Sequence, residues 1–491
     1  MNHLPVLIPV PLLFAAFIVP LAGLLHKGLV PVVALLGAGI SAAAAAAGLW
    51  TVLSVGTLRY YIGSWTPPLG IEYVLDPLAA FMAVVVTVSG LISLCYFSPA
   101  LRQEVADRFV IGHAMALLFL AGLAGMIVTG DLFNLFVFLE IASLSAYALV
   151  AIGAKQAPVA SLRYLILGSL AGSFYVLGVG FLYFVTGSLN MADVAERLVP
   201  VYHSRAVVAA ALLIALAIAL KMALFPFHLW LPDAYTYAPS AVAGLIPPVA
   251  TKVAAYVLVR VFLGVFQPSF AIDRLPLMPI ISWLAAAGIV YGSVLAIAQT
   301  DLRRMLAYSS VSQIAYVGLG LGLANPLGLV GALLHVINHA VMKAALFFVA
   351  GAVRIRTGQV EIQNLTGLGR KMPWSMAAFT VAALSMIGIP PAAGFFSKWY
   401  LLQASLAAAN YWFIAVILIS SLLNAVYFFR TLENIYANPS AGQKVVEYSE
   451  APPSMLVPTL IMAAGVIVLG VANSVIVTQL LEPIAESFYG R

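Results

Sequence analysis

Four lysines, Lys221, Lys252, Lys343 and Lys398, lie inside long apolar runs of the sequence. A lysine at the centre of a membrane span costs about 2.5–3.5 kcal/mol on insertion scales, so four imply a use. Snorkelling to an interface or a structural salt bridge is the plain alternative for any one, most readily for Lys398 near a run's end. Burial disfavours a charged amine and a nearby carboxylate restores it. A lysine in that balance takes and releases a proton near neutral pH, which arginine does not do. Glu140, in DLFNLFVFLEIASLSAYALV, is the only carboxylate deep in an apolar run and needs a cation or a proton there. A fixed Glu–Lys pair is the structural reading; a pair that opens and closes as protons pass is the functional one. Asp131 opens the same run and reads as a helix cap.

The run HVINHAVMKAALF places His335, His339 and Lys343 at i, i+4 and i+8, on one face of a helix. No third ligand accompanies the histidine pair, so a metal site is weakly supported. Imidazole titrates closest to neutrality, which suits a proton wire; satisfied structural histidines are the alternative. His113 and His228 carry less information. Helix breakers stand beside three of the lysines: Pro226 after Lys221, Pro247 and Pro248 before Lys252, and Gly388, Pro390 and Pro391 before Lys398. Proline frees carbonyls that water or neighbours must satisfy. Broken helices beside a charge point to an ion site in transporters, and kinked packing helices are the alternative.

The elements that must hold these residues are membrane spans. The chain has 491 residues, of which 63% are hydrophobic and only 8% charged, against about 25% charged in soluble domains. An all-α polytopic membrane protein is expected. Apolar runs of about 20 residues fall near 4–25, 29–55, 76–98, 109–129, 131–153, 161–187, 206–227, 237–265, 277–299, 304–323, 326–353, 375–401, 408–433 and 455–481, about fourteen spans. The N-terminal run lacks a basic leader and reads as a first span, not a cleaved signal. With fourteen spans both termini share a side, which carries six basic residues outside the spans against thirteen opposite. The positive-inside rule then puts both termini outside.

The net charge of +6 fits that loop bias better than nucleic acid, for which no basic stripe exists. A single cysteine, Cys95, excludes an intrachain disulfide and a cysteine-ligated cluster. No Walker loop, dinucleotide fingerprint, CxxCH or HExxH occurs, so no cofactor and no metal is expected.

Five motifs, TGDLFNLFVFLE, LKMALFPFHLWLPDA, the Lys252 segment AGLIPPVATK, HVINHAVMKAALFF and GIPPAAGFFSKWYL, resemble the antiporter-like subunits shared by respiratory complex I, membrane-bound hydrogenases and Mrp cation/proton antiporters. The likeness runs over nearly the whole chain, and the TGDLFN run looks most like the Mrp D-type subunit. The resemblance implies fourteen helices, two inverted five-helix repeats (about 109–265 and 277–433), and discontinuous seventh and twelfth spans. It implies that Glu140 pairs with Lys221, that Lys252 links to His335, His339 and Lys343, and that Lys398 is the terminal site toward the outside. Some complex I relatives carry Glu where this chain has Lys398. The chain stops soon after its last span, unlike relatives with a long lateral helix.

The resulting expectation is a proton-translocating subunit of a hetero-oligomeric complex in a prokaryotic plasma membrane. Its partners would be other membrane subunits, the bilayer, H+ and either Na+ or K+. A proton-pumping subunit of a complex I-like oxidoreductase or hydrogenase is the alternative. A carrier of an organic solute, for which arginine ligands would be expected, and a quinone-reactive subunit, for which redox ligands are lacking, fit less well.

Overall fold

The computed structural model describes residues 3–438 and 449–490; Lys444 and Arg491, both counted above for sidedness, lie outside the described residues. Helices α1 (Leu4–Leu25) and α2 (Leu29–Val55) come first. A small antiparallel hairpin follows, β1 (Leu58–Tyr61) with β2 (Glu72–Leu75), pairing Leu58 with Leu75 and Tyr61 with Glu72. Then come α3 (Pro77–Glu104), α4 (Phe109–Val128), α5 (Leu132–Ala151) and α6 (Ala157–Thr186). Next are α7 (Arg205–Met222), α8 (Trp230–Tyr237), α9 (Ser240–Val259), α10 (Leu277–Ile297) and α11 (Leu302–Gly322). The chain continues through α12 (Pro326–Thr357), α13 (Pro373–Ile387), α14 (Ala393–Ala407), α15 (Tyr411–Tyr436) and α16 (Pro453–Val471).

The protein is an all-α, multi-pass membrane protein. Among the described residues, twelve helices are long and apolar enough to cross a bilayer. Two of the apolar runs are missing from that set, each for a physical reason. Helix α11 has the length, 21 residues, but carries Arg303, Arg304, Ser309, Ser310, Ser312 and Gln313. The run near 375–401 is split into α13 and α14, of 15 residues each. At 1.5 Å per residue each piece falls short of the roughly 30 Å hydrocarbon core.

The loops show which helix ends share a side. Short bridges join Tyr73 to Thr129, Asp131 to Asn190 and Asp301 to Glu361. Asn325 Nδ2 donates to Ala404 O at 3.1 Å. The bridge at Asp301 encloses only α11 and α12, and the Asn325 contact only α12, α13 and α14.

Both expected breaks at Pro226 and at Gly388–Pro391 are present. α7 ends at Met222, Ala223 takes a left-handed conformation (φ 58°), and α8 starts only at Trp230. The expected run ending at 227 therefore omits α8, the second half of the interrupted span. Trp230 Nε1 ties the halves together by donating to Leu220 O at 2.9 Å. At the other break Gly388 has φ 99°, and a Cβ there would meet Lys398 Cδ at 3.3 Å. Only glycine meets both conditions without strain.

The third expected break, at Pro247 and Pro248, does not occur: α9 runs through both prolines as one helix. Pro248 has no N–H for the Gly244 carbonyl four residues earlier. Ser93 Oγ of α3 donates to that carbonyl at 3.3 Å instead, so the freed group is satisfied without opening the helix.

Helices α9 and α12 form the interior. The α9 span is 94% buried within the chain and α12 is 89%, against 33% for α15 and 39% for α6. Outer helices present Phe17, Phe184, Leu422 and Val471 to the surroundings.

Replacing Gly388 by Ala is expected to destabilise the protein by about 1–3 kcal/mol. Gly39→Ala, on an open helical surface with nothing near the new methyl, is the control and should be neutral or stabilising. Thermal melting of the two purified variants measures the difference.

Candidate functional site

The charged residues of the interior stand in two groups. The first is carried by α5 and α7. Lys221, in the last turn of α7, donates to Ser143 Oγ at 2.7 Å and to Tyr147 Oη at 3.2 Å. A helix C-terminus favours a cation. Glu140, Ser143 and Tyr147 follow one another at i, i+3 and i+7 on α5, so they share the face turned to Lys221. Glu140 and Lys221 act on each other electrostatically but form no ion pair, and Glu140 Oε1 is buried without a hydrogen-bond partner. The pair is open in this structure. Asp131 caps α5 by accepting from Asn134 N at 2.7 Å.

A cavity of about 50 Å³ lies beside this group, lined by Ser143, Tyr164 and Lys221 on one side and by Ala250, Ala254 and Val257 of α9 on the other. That is room for a few waters, between Lys221 and the helix that carries Lys252.

The second group is carried by α9, α11, α12 and α14. Lys252 is fully buried and donates to Pro247 O of its own helix at 2.6 Å. Its field reaches His335, His339 and Lys343. The rings of His335 and His339 stack with centroids 5.8 Å apart, the spacing that i and i+4 on α12 provides. His335 Nδ1 lies 2.9 Å from Ser397 Oγ. His335 Nε2 and both ring nitrogens of His339 are buried and unpartnered. Lys343 donates to Leu306 O at 2.8 Å and to Ser309 Oγ, both on α11.

Lys398, in the second turn of α14, turns its amine back to the α13–α14 break. It donates to Met386 O at 2.9 Å, Ile387 O at 3.0 Å and Ser421 Oγ at 3.2 Å. The first two are carbonyls of the last turn of α13, which the break releases. Its Nζ also lies 5.2 Å from the Tyr316 ring centre. Pro226, Gly388, Pro390 and Pro391 thus border the helix ends that receive Lys221 and Lys398, while Pro247 supplies its carbonyl to Lys252. None of the four lysines is in salt-bridge contact with a carboxylate among the described residues.

Two polar cavities open toward opposite ends of the bundle. One, of about 980 Å³, is lined by Glu104, Asp107 and Arg108, by Ala148 and Ala151 of α5, and by Arg354; it reaches the residue next to Tyr147. The other, of about 200 Å³, is lined by Arg59, Glu72, Asp76, Thr129 and Arg260. In it Arg59 pairs with Glu72 at 2.8 Å and Arg260 with Asp76 at 2.5 Å. Only α4 separates the loop lining the first from Thr129 in the second. His113 is tied to Ser98 at 2.6 Å and to Phe109 O at 2.8 Å, a structural histidine. His228 lies outside both groups.

Sequence reasoning missed the hydroxyl partners Ser143, Tyr147, Ser309, Ser397 and Ser421. Ser143 and Tyr147 were within reach, because their spacing from Glu140 marks one helical face. It also missed Arg303, which is 2% exposed in the first turn of α11 and donates to the carbonyls of Tyr235 and Ala238.

The chain as a whole has known relatives. The sequence profile of the NADH:quinone oxidoreductase/Mrp antiporter transmembrane family matches residues 129–424. The chain is 47% identical over 495 residues to NADH-quinone oxidoreductase subunit N of Desulforudis audaxviator (strain MP104C), covering 98% of each. It is 32% identical over 415 residues to the D-type subunit of the Na(+)/H(+) antiporter of Alkalihalophilus pseudofirmus, covering 84% of this chain and 82% of that one. In three dimensions it is similar to a chain of the Mrp complex from Dietzia sp. DQ12-45-1b, with TM-score 0.89, 27% identity, and 99% and 97% of the two chains covered.

The two polar cavities give a test of sidedness. In a Cys95→Ser background, Ala148→Cys should react with a membrane-impermeant maleimide added from one face only, and Thr57→Cys from the other only. Labelling of both from the same face would contradict the alternation of the helices.

Proposed function

Since the chain belongs to the NADH:quinone oxidoreductase/Mrp antiporter transmembrane family, we propose that it relays protons across a prokaryotic plasma membrane within a multisubunit complex. The relay runs along Glu140, Lys221, Lys252, His335, His339, Lys343 and Lys398. The observation that carries this reading is the set of four interior lysines, three buried and Lys221 half-buried, without a carboxylate in contact among the described residues, beside imidazoles with three unpartnered ring nitrogens. Such amines and rings are ready to exchange protons through small amounts of water, and the cavity between Lys221 and α9 has room for it.

Protons enter from the cytoplasm through the cavity at Glu104, Asp107 and Arg354, which leads to Tyr147 and Lys221. They cross to Lys252 and the α12 histidines and leave near Lys398. The alternating state of the Glu140–Lys221 pair, open here, gates the first step. In the Mrp setting, proton flow is coupled to movement of Na+ or K+ in the opposite direction.

A fourteen-span topology supports this path. Asp301 and Glu361 share a side only if α11 crosses as α12 does. Asn325 and Ala404 share a side only if α13 and α14 together make one crossing. Two five-span units, 109–265 and 277–433, then follow each other in opposite orientation, since five is odd. The interrupted span is the fourth in each, and each interruption adjoins a lysine, Lys221 or Lys398. With fourteen crossings, the excess of basic residues on one set of loops favours both termini outside.

The 47% identity to a protein named as NADH-quinone oxidoreductase subunit N favours a second reading, a proton-pumping subunit of a complex I-like assembly. There the same relay would be driven by redox chemistry in partner subunits. The proteins that co-purify with the chain separate the two settings: small antiporter subunits for the first, dehydrogenase or hydrogenase subunits for the second.

Lys221→Ala and Glu140→Ala, each in an assembled complex in sealed vesicles, should abolish proton translocation measured with a pH-sensitive dye. Wild-type transport in both would rule out the relay.

A further inference from the structure

The central lysine of the relay stands nearer one end of the bundle than the other. Lys252 is twelve residues past Ser240, where α9 begins, and eight before Arg260, where it ends. At 1.5 Å per residue these are roughly 18 Å and 12 Å along the axis. Ser240 is held by Glu104, which lines the larger polar cavity. Arg260 lines the smaller one, of about 200 Å³, at the opposite end. A small ion entering that smaller, outside cavity therefore stands about two helical turns from Lys252. A relay that carries protons on from Lys252 to the α12 histidines and Lys398 short-circuits here unless the gap is closed.

What stands in the gap is a clamped arginine. Lys252, Tyr256 and Arg260 recur at i, i+4 and i+8, so they lie along one side of α9. Arg260 Nη1 and Nη2 donate to Asp76 Oδ2 at 2.5 Å and Oδ1 at 2.8 Å. Its Nε donates inward to Tyr256 Oη at 3.0 Å. Asp76 is itself fixed as the N-cap of α3, accepting from Ala79 N at 2.8 Å. Tyr256 is 2% exposed and spends its one hydroxyl proton on Ile127 O of α4 at 2.6 Å. No member of this series passes a proton inward. Arginine keeps its proton and has no acceptor, and the Tyr256 proton ends on a backbone carbonyl. Lys252 turns its amine the other way, to Pro247 O at 2.6 Å.

We infer that Arg260, clamped between Asp76 and Tyr256, is a fixed-charge seal that closes the outside cavity against Lys252, so that protons leave only after passing through the second group. The inference rests on the relay reading above. A permanent positive charge at a constriction repels H+, Na+ and K+ alike. The Arg260 side chain is 15% exposed, so its field is little screened. Arg59 lines the same cavity but is 47% exposed and is tied to Glu72; it does not reach Tyr256 and is no part of the seal. An ion pair that merely joins α3 to α9 would show the same contacts. The two roles differ in whether the charge itself matters.

The measurement is the collapse of an imposed pH gradient, acid on the outside face of the protein, in sealed vesicles holding the assembled complex. No energy source, Na+ or K+ is supplied, so only leakage is read. Arg260→Gln combined with Asp76→Asn keeps a hydrogen-bonded pair and removes both charges. It should speed the collapse by about tenfold, the low end of what a local field does to ion access. Arg260→Lys, which keeps the charge, and Arg59→Gln should hold the gradient as the wild type does. Adding Lys252→Met to the leaky variant should restore tightness. A tight Gln/Asn variant, an equal leak in Arg59→Gln, or a leak that survives Lys252→Met would each overturn the seal. Should the double variant fail to assemble, Arg260→Gln alone decides by the same comparisons. Active translocation by Lys221→Ala, assayed alongside, separates the two levels. Normal translocation there overturns the relay, while its loss there with a tight Gln/Asn variant overturns only the seal.

Discussion

A buried ammonium group with no carboxylate in contact must find its counter-dipoles in the backbone and in hydroxyls, and most of this fold answers to that need. An amine at a span centre costs about 2.5–3.5 kcal/mol, and one hydrogen bond to a charged group returns about 1.5–3 kcal/mol. One or two such bonds therefore offset the penalty. Lys398 has three, from two released carbonyls and Ser421, and Lys343 and Lys221 have two each. Carbonyls come from Pro247 within α9, from Leu306 within α11, and from the last turn of α13, where the interruption at Ile387–Ala393 releases them and Gly388 lets it form beside Lys398.

This way of holding a charge differs from a salt bridge in one respect that matters for transport. A contacting carboxylate would fix a lysine in its charged state, because breaking a buried pair is costly. Hydroxyls and carbonyls accept from a charged amine, and hydroxyls donate equally well to a neutral one. The partners chosen here, Ser143, Tyr147, Ser309 and Ser421, are of this ambivalent kind. Ion pairs are placed at the ends of the bundle instead: Arg59–Glu72 and Arg260–Asp76 at one end, Arg163–Asp233 and Arg354–Glu104 at the other. The fold is thus fastened at its rims by fixed pairs and left exchangeable in its interior.

Much of this was legible in the chain. Apolar runs announced the spans, and the lysines within them announced the interior group. Periodicity put His335, His339 and Lys343 on one face, as found. The limits of that reading are equally specific. Pro247 and Pro248 looked like a break because the donor that rescues Gly244 O, Ser93, is 151 residues away. The expected Glu140–Lys221 contact is open because Ser143 and Tyr147, also on α5, take the amine. Helix α8 was read as loop because its half-span is too short to show as an apolar run.

Lys252 carries the account most directly. It is fully buried at the junction of the two groups, and its amine has one hydrogen-bond partner, Pro247 O. Arginine at this position would keep the positive charge and lose the ability to release a proton. The decisive measurement is proton translocation by the assembled complex carrying Lys252→Arg, in sealed vesicles, with assembly checked on the same sample. The account predicts an assembled complex that moves no protons. An assembled Lys252→Arg complex translocating at the wild-type rate would contradict it.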